Sequence, residues 1–390
     1  MLKQICESFL DETMEYYDLP GIVIGVQAGD ERFTGARGVR DVTTKDPLRA
    51  DDVFHCASVS KLFTSAAILQ LAEAGELELD QPLHEILPEL PIADKRWNKI
   101  RLCQMLSHTS GLGDVDDYHW EQALTSDQAL SDYVHSEEVS QLPLLWEPGE
   151  GGFRYSNIAY EILGHIVAVK SGRTYEDYIR DQLMKPAGMT ESTMLTFERI
   201  GAKAGEPCPL ITEEIRARNR EARGESGLAG AEKNTWRPMA LPQEKAADRS
   251  IVPVKYYPYT RSHGPSSTLT STAEDLLKWA DAHMAGFAAA ERSGAGEPET
   301  GILNAGTYRQ IRKEYAEVPN NKEKMGLGWF MRRQEGYQLY GHEGTDDGFR
   351  ASLWMSPEKQ TAIAVLSNLS GAPVKKLSKK LFKLLAECPG

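Results

Sequence analysis

The chain has 390 residues, enough for one large two-lobed domain or two ordinary ones, and enough to bury a substantial core without cross-links. Lys and Arg total 44 against 57 Asp and Glu, a formal net charge of −13 that argues against a nucleic-acid binder and against docking on anionic lipid. Hydrophobic residues make up 41% and charged residues 26%, and no apolar run reaches the roughly 18 residues of a membrane span, so a soluble globule is expected.

The chain opens on a helix. Leu2, Ile5, Phe9, Met14 and Tyr17 form an apolar stripe that ends at Asp18-Leu19-Pro20-Gly21. Gly21 to Gln27 reads as a buried strand, Gly29-Asp30 as a turn, and Glu31 to Val39 as a second strand. A core helix follows from about Ser58 to Ala74 and stops at Gly75. From Leu79 to about Phe197 helical periodicity with Pro and Gly punctuation predicts a helical lobe (79–197). Residues 198–263 break the pattern. The charged run Glu213 to Glu221 and the small, flexible Gly224 to Gly230 predict a loop-rich insertion with one short helix.

Strand character returns late. Gly326 to Met331 and Tyr337 to His342 read as strands, and Phe349 to Met355 with Thr361 to Asn368 as a hairpin around Ser356-Pro357-Glu358-Lys359. An amphipathic helix, Val374 to Ala386, closes the chain. One α/β lobe is therefore expected from both chain ends, 1–78 and 264–390, with the helical lobe set between them. There is no internal repeat.

Compartment signals are modest. The first residues carry no apolar h-region, and Cys6, Cys56, Cys103, Cys208 and Cys388 are scattered with no Cys-x-x-Cys spacing. Reduced thiols in a cytoplasm are the simplest expectation. His55, His84, His108, His119, His135, His165, His263 and His283 show no metal-ligand spacing, so neither a metal nor another cofactor is expected.

Three short segments carry chemistry. In Ser58-Val59-Ser60-Lys61 the first and last residues share a face at a helix start. A serine hydroxyl needs a nearby base, and a desolvated lysine with a lowered pKa can supply one. The dyad alone is weak, since Ser-x-x-Lys arises by chance roughly once in a chain of this size. A second copy, Ser356 to Lys359, reads as a hairpin turn, and Ser58 reads equally well as an ordinary helix N-cap. Tyr155-Ser156-Asn157 follows a Gly-rich loop and precedes a helix. A phenol beside an ammonium can move a proton, and the Asn157 amide can orient the lysine or a substrate; the plainer reading is a capped turn. Gly341-His342-Glu343-Gly344-Thr345 ends a strand, where glycines let a ligand approach the backbone and amides can hold an oxyanion. The plainer reading there is a tight turn with an exposed histidine. Lys170-Ser171-Gly172 and Lys203-Ala204-Gly205 lack the strand context; the first reads as a helix C-cap. Tyr118-His119-Trp120 and Tyr256-Tyr257-Pro258-Tyr259 read as pocket lining or lobe packing.

Together, and in this order, the segments resemble the serine β-lactamase and penicillin-binding-protein superfamily, on its class C side with D-aminopeptidases and β-lactamase-fold esterases. Leu106 to Leu112, Pro148-Gly149, Lys185 to Met189 and Ser271 to Leu276 support the resemblance, which runs from about Leu19 to Asn368 except for 198–263. It implies an α/β (α+β) fold, an antiparallel sheet flanked by the terminal helices with an inserted helical lobe. It implies Ser58 as the acylated nucleophile, Lys61 as its proton partner and Tyr155 as general base and acid. Asn157 would orient substrate, and the backbone N–H groups of Ser58 and Thr345 would form the oxyanion hole, with Gly344 beside it.

One position departs from the pattern. β-Lactamases and carboxypeptidases of the superfamily begin the third motif with lysine, which helps bind a substrate carboxylate; this chain has His342. A mostly neutral imidazole weakens a site for an anionic C-terminus. Relatives with histidine there are often aminopeptidases, amidases or esterases. Glu343, Asp346 and Asp347 nearby would favour a cationic amine, the plainer reading being loop acids that are merely solvated. The expected function is a serine hydrolase working through an acyl-enzyme on a small ester, amide or short peptide, as a monomer or small homo-oligomer. Acyl transfer by the same residues and a catalytically silent binding member are the alternatives.

Overall fold

The apolar run near the start of the chain becomes an inner strand of the main sheet. The computed structural model describes residues 1–120, 122, 124–199, 212–222, 237–291 and 301–387. Helix α1 spans Leu2–Tyr16, and strands β1 (Gly21–Ala28) and β2 (Glu31–Gly38) form the first hairpin, turning at Gly29 with φ of 58°. Helix α2 is Ser60–Glu73, α3 Ala129–Val134, α4 Asn157–Ser171, α5 Thr212–Ala222 and α6 Ala273–Glu291. Strands β3 (Ala316–Glu317), β4 (Lys324–Met325), β5 (Phe330–Gln334), β6 (Tyr337–Asp346), β7 (Phe349–Ser356) and β8 (Thr361–Ser367) precede helix α7 (Val374–Ala386).

The eight strands form one antiparallel sheet in the order β2-β1-β8-β7-β6-β5-β4-β3, which places the last long strand against the first. Ile22 pairs with Ser367 and Ala28 with Thr361. Alternation decides the faces. Ile22, Ile24 and Val26 of β1 and Ile363 and Val365 of β8 meet Phe9 and Leu10 of α1 and Leu377, Leu381 and Phe382 of α7. Val23, Ala362, Ala364 and Leu366 point to the opposite face, in the core that holds α2, α4 and α6. Small residues there let α6 approach: a Cβ added to Gly25 would sit 3.1 Å from the Ala273 carbonyl. Helix α2 is buried on every side from Ser60 to Leu69, and its polar side chains Ser60, Lys61, Thr64 and Ser65 are buried with the apolar ones. The terminal helices thus cover one face and the helical segments the other.

Between residues 79 and 197 the described residues hold helices, turns and isolated bridges but no strand. Residues 198–263 contribute more order than loops alone. Helix α5 anchors there through Arg216, whose guanidinium meets buried Asp41 at 2.5 Å, and Gln243–Lys245 pairs with Ile251–Pro253. The small run Gly224 to Gly230 and Lys203 to Gly205 lie outside the described residues.

Two sequence expectations change. The strand expected over Gly326 to Met331 is broken: β4 ends at Met325, Gly328 turns with φ of 81°, and β5 starts at Phe330. Packing is the cause. The Gly328 N–H donates to the Leu106 carbonyl, and a Cβ there would lie 2.3 Å from Ser65 of α2. The strand expected to end at His342 continues to Asp346, so the Gly341–Thr345 segment is strand rather than turn.

Strand β6 passes directly over the turn that carries Ser58. A Cβ on Gly344 would lie 2.1 Å from the Cys56 carbonyl oxygen, a backbone atom that cannot swing away. Gly344→Ala is therefore expected to lower stability by roughly 1–3 kcal/mol, the usual cost of overpacking. Urea unfolding measures it as a lower midpoint with an unchanged slope. An unchanged midpoint would mean that the strand and the turn are not in contact.

Candidate active site

Ser58 sits in a 3-10 turn, Ala57–Val59, that leads into α2. The turn is pinned from behind. Phe54–His55 pairs with Thr270–Ser271, the Cys56 N–H donates to the Leu269 carbonyl at 2.8 Å, and the Ser60 hydroxyl donates to the Ala57 carbonyl at 2.7 Å. Ala57 has φ of 48°, a left-handed conformation that a non-glycine residue adopts at a cost. The surrounding hydrogen bonds hold that strain one residue before Ser58.

One turn on, Lys61 is fully buried. Its ammonium donates to Ser58 Oγ at 3.0 Å, Asn157 Oδ1 at 2.6 Å and the Ser266 carbonyl at 2.8 Å, which uses all three of its protons. Burial pushes the amine from the usual 10.5 down to about 8, against the opposing pull of Glu161, Asp114 and Asp346. None of these acids touches the amine, and each is committed elsewhere. Glu161 accepts from Ser266 and His263, Asp114 accepts the Asn157 and Ile158 N–H groups at the start of α4, and Asp346 accepts from Ser267 and His55.

Tyr155 and Asn157 arrive at the N-terminus of α4. Ser156 caps that helix, its hydroxyl accepting the Ala159 N–H at 3.1 Å, so the capping reading of the motif holds while its neighbours face the cleft. The Asn157 amide donates to Tyr118 Oη at 2.7 Å and to Asp114, which turns its carbonyl oxygen toward Lys61. Lys61 Nζ lies 4.9 Å from the Tyr155 ring centre. Burial raises the Tyr155 phenol well above its usual value, and the Ser58 hydroxyl opposes this only in part. Tyr155 is therefore a neutral phenol at rest. Its ring stacks on His108, whose centroid is 4.3 Å away. His108 accepts the Ser156 N–H on Nδ1 and is kept neutral first by burial and then by Lys61.

The third segment forms the opposite wall. Strand β5 pairs with β6 only from Tyr337 to Gly341, so beyond Gly341 that side of β6 has no strand partner among the described residues. His342 is buried, not exposed. Its Nδ1–H donates to the Glu343 carbonyl at 2.7 Å, Nε2 has no partner among the described residues, and burial pushes its pKa down to about 3. A cleft of about 380 Å³ is lined by Ser58, Tyr155, Asn157, His342, Glu343 and Thr345, among others. Every site residue named from the sequence except Lys61 and Gly344 lines it; Lys61 lies behind Ser58, and Gly344 abuts Cys56. Of the three acids, only Glu343 lines the cleft; Asp347 accepts from Tyr256 at 2.7 Å.

The second Ser-x-x-Lys sits, as expected, between β7 and β8, closed by Gln360 at φ of 46°. Gly172 caps α4 at φ of 66°. Sequence reasoning missed the Ser266 carbonyl, Asp114 and Glu161. A backbone acceptor carries no side-chain signal. Glu161, inside an apolar helix one turn after Asn157, is a visible buried acid that the helical pattern alone could have flagged.

The structural likenesses are broad. The octameric penicillin-binding protein homologue from Pyrococcus abyssi superposes with a TM-score of 0.74 at 22% identity, over 98% of this chain and 76% of that one. The D-amino acid amidase from Ochrobactrum anthropi SV3 superposes with a TM-score of 0.73 at 19% identity, over 98% of both chains. In sequence, penicillin-binding protein 4 of Amycolatopsis lactamdurans is 27% identical over 381 residues, 96% of this chain and 87% of that protein. With the Beta-lactamase family model matching residues 7–386, the chain belongs to the Beta-lactamase family.

Proposed function

We propose that the protein is a serine hydrolase that forms a covalent acyl-enzyme on Ser58 from a small ester, amide or short peptide. The observation that carries this reading is the buried Lys61 amine at 3.0 Å from Ser58 Oγ, lowered to about 8 by desolvation. Ser58 Oγ attacks the substrate carbonyl, and its proton passes to the neutral Lys61 amine. The carbonyl electron pair moves onto oxygen, where the N–H groups of Ser58 and Thr345 stabilise it. The tetrahedral intermediate collapses, and the leaving group departs with a proton relayed through the neutral Tyr155 phenol. Water, deprotonated by the same groups, then cleaves the ester to Ser58. Burial favours Tyr155 as donor and relay, and Lys61 as the acylation base.

The substrate class follows from the far wall. His342 is neutral across the physiological range and offers Nε2 as an acceptor, where a lysine would offer a cation. A D-amino-acid amide, a small peptide or an uncharged ester suits that wall better than a substrate whose recognised end is a carboxylate. The Ochrobactrum amidase, similar in fold, acts on D-amino acid amides by its name.

A fluorophosphonate probe read by mass spectrometry is expected to label Ser58, and Ser58→Ala to lose both adduct and turnover. Tyr155→Phe is expected to lower turnover by about 10²–10⁴-fold, the worth of a placed acid–base group. A wild-type site that refuses every acylating agent would instead support a silent binding member.

The pH profile tests the base. Below about 8 Lys61 is an ammonium and accepts no proton, so the acylation rate should rise with pH and level off above that value. Lys61→Arg, permanently charged, should remove both the activity and the inflection. A flat profile from pH 6 to 10 in the wild type would exclude Lys61 as the base.

Initial rates on p-nitrophenyl esters, D- and L-aminoacyl anilides and a chromogenic cephalosporin resolve the substrate. Esters or aminoacyl anilides should exceed the cephalosporin. Fast cephalosporin turnover, equal in wild type and His342→Lys, would refute the role given to His342.

A further inference from the structure

Three residues far apart in sequence converge in the helical segment, outside the cleft. Glu89 follows the short helix Leu83–Ile86, His135 closes α3, and His165 lies within α4. One ligand atom from each lies within 4.8 Å of the other two. The imidazole centroids are 5.2 Å apart with the rings nearly perpendicular, an interplanar angle of 87°.

The donor chemistry fits a metal. The Nδ1–H of His135 donates to the Ser131 carbonyl at 2.8 Å, which fixes the tautomer and leaves a lone pair on Nε2. A backbone partner of this kind is the usual support of a ligating histidine. His165 is buried within α4, its ring edge-on to that of His135. Glu89 is exposed, so its carboxylate can move toward the rings. Bonds of about 2.1 Å in a tetrahedral shell need ligand atoms about 3.4 Å apart; rotation of the Glu89 side chain closes its two distances, and turning of the imidazoles would have to close the third.

We propose that Glu89, His135 and His165 form a binding site for a divalent transition metal of the zinc class, with water completing the shell. Two imidazoles and one carboxylate suit zinc, nickel or cobalt and disfavour calcium and magnesium, which take oxygen ligands. The ion would tie α3, α4 and the loop after Leu83–Ile86 at one point. His165 lies eight residues along α4 from Asn157, about 12 Å down the helix axis at 1.5 Å per residue.

Isothermal titration of the chelator-treated full chain with Zn²⁺ tests the site, with Mg²⁺ as control and thermal unfolding as a second readout. One Zn²⁺ per chain should bind and raise the melting temperature, while Mg²⁺ should do neither. His135→Ala should weaken that binding by about 100-fold or more, beyond the 10–100-fold usual for loss of an outer-shell partner. Glu89→Ala, at an exposed position, should weaken it by about tenfold or more and decides the matter if His135→Ala does not fold. Absence of micromolar Zn²⁺ binding by the wild type overturns the proposal. So does an unchanged affinity in the variants, which would place the ion elsewhere, for instance at the exposed pair His119 and Asp117.

Discussion

A single buried amine sets the terms for the rest of this structure. Lys61 reaches acceptors on three separate segments: Ser58 on the turn before α2, Asn157 at the head of α4, and the Ser266 carbonyl on the stretch that precedes α6. None of these segments is adjacent to another in the chain, so the lysine is satisfied only when all three have come together. An ammonium in this position has lost its water, and the fall from 10.5 to about 8 is what remains of that loss after the opposing pull of Glu161, Asp114 and Asp346. The sign is definite. Between those two values the unfolded chain holds a proton that the folded chain does not, so stability rises with pH across that window. Below about 8 the penalty is present in full, on the order of 3 kcal/mol at about 1.4 kcal/mol per pKa unit. In the proposed reaction, the same desolvation is what brings the amine within reach of a proton from Ser58.

Around the amine the interior stays polar in an ordered way. Asp114, Glu161 and Asp346 all pull Lys61 toward its charged form, yet each accepts from other donors, Glu161 through Oε1 alone among the described residues. Asp114 caps α4 while fixing the Asn157 amide; Glu161 binds Ser266, whose carbonyl receives the lysine. Two of the acids thus hold the residues that receive the lysine, and removal of one acid would leave buried donors unmatched. The same economy governs the backbone. The left-handed Ala57 and the glycine at 344 are two sides of one contact, since β6 can cross the Ser58 turn closely only without a side chain at 344.

Much of this was legible in the sequence because it rests on local rules. The run Gly21 to Gln27, the Gly29-Asp30 turn and the amphipathic stripe at Val374 to Ala386 each specify their element without help from distant residues. The Ser58 and Tyr155 segments were legible through order and context, and the structure brings both to one cleft. What stayed hidden depends on tertiary contact. Gly328 looks like part of a strand until α2 is seen packed against it. His342 looks exposed between glycines until Phe330, 5.0 Å away, and Tyr155, 6.1 Å away, are placed around it. The convergence of Glu89, His135 and His165 has no linear spacing to announce it.

The overall charge of −13 suggests a cleft that repels anions, but the lining does not carry that sign. Glu343 faces Lys375 at 3.4 Å and Arg332 at 3.7 Å, and Glu323 faces Lys375 at 2.8 Å. Arg332 also lies over the Trp354 ring at 3.8 Å, which holds its guanidinium in place. Two acids of the lining therefore meet one cation beside them, Lys375, and one buried outside the lining, Arg332. Burial raises the Glu343 carboxyl while Lys375 opposes it, so this acid is not a free anion waiting for an ammonium. A cationic substrate would have to displace Lys375 from it, losing one ion pair to gain another of similar strength. Net charge then contributes little to selection. What remains to discriminate is directional: the His342 Nε2, without a partner among the described residues, and the open edge of β6 beyond Gly341. If the proposed hydrolysis takes place here, such a site would recognise the hydrogen-bonding outline of a substrate next to its carbonyl, and would reject analogues that leave one of these groups unpaired.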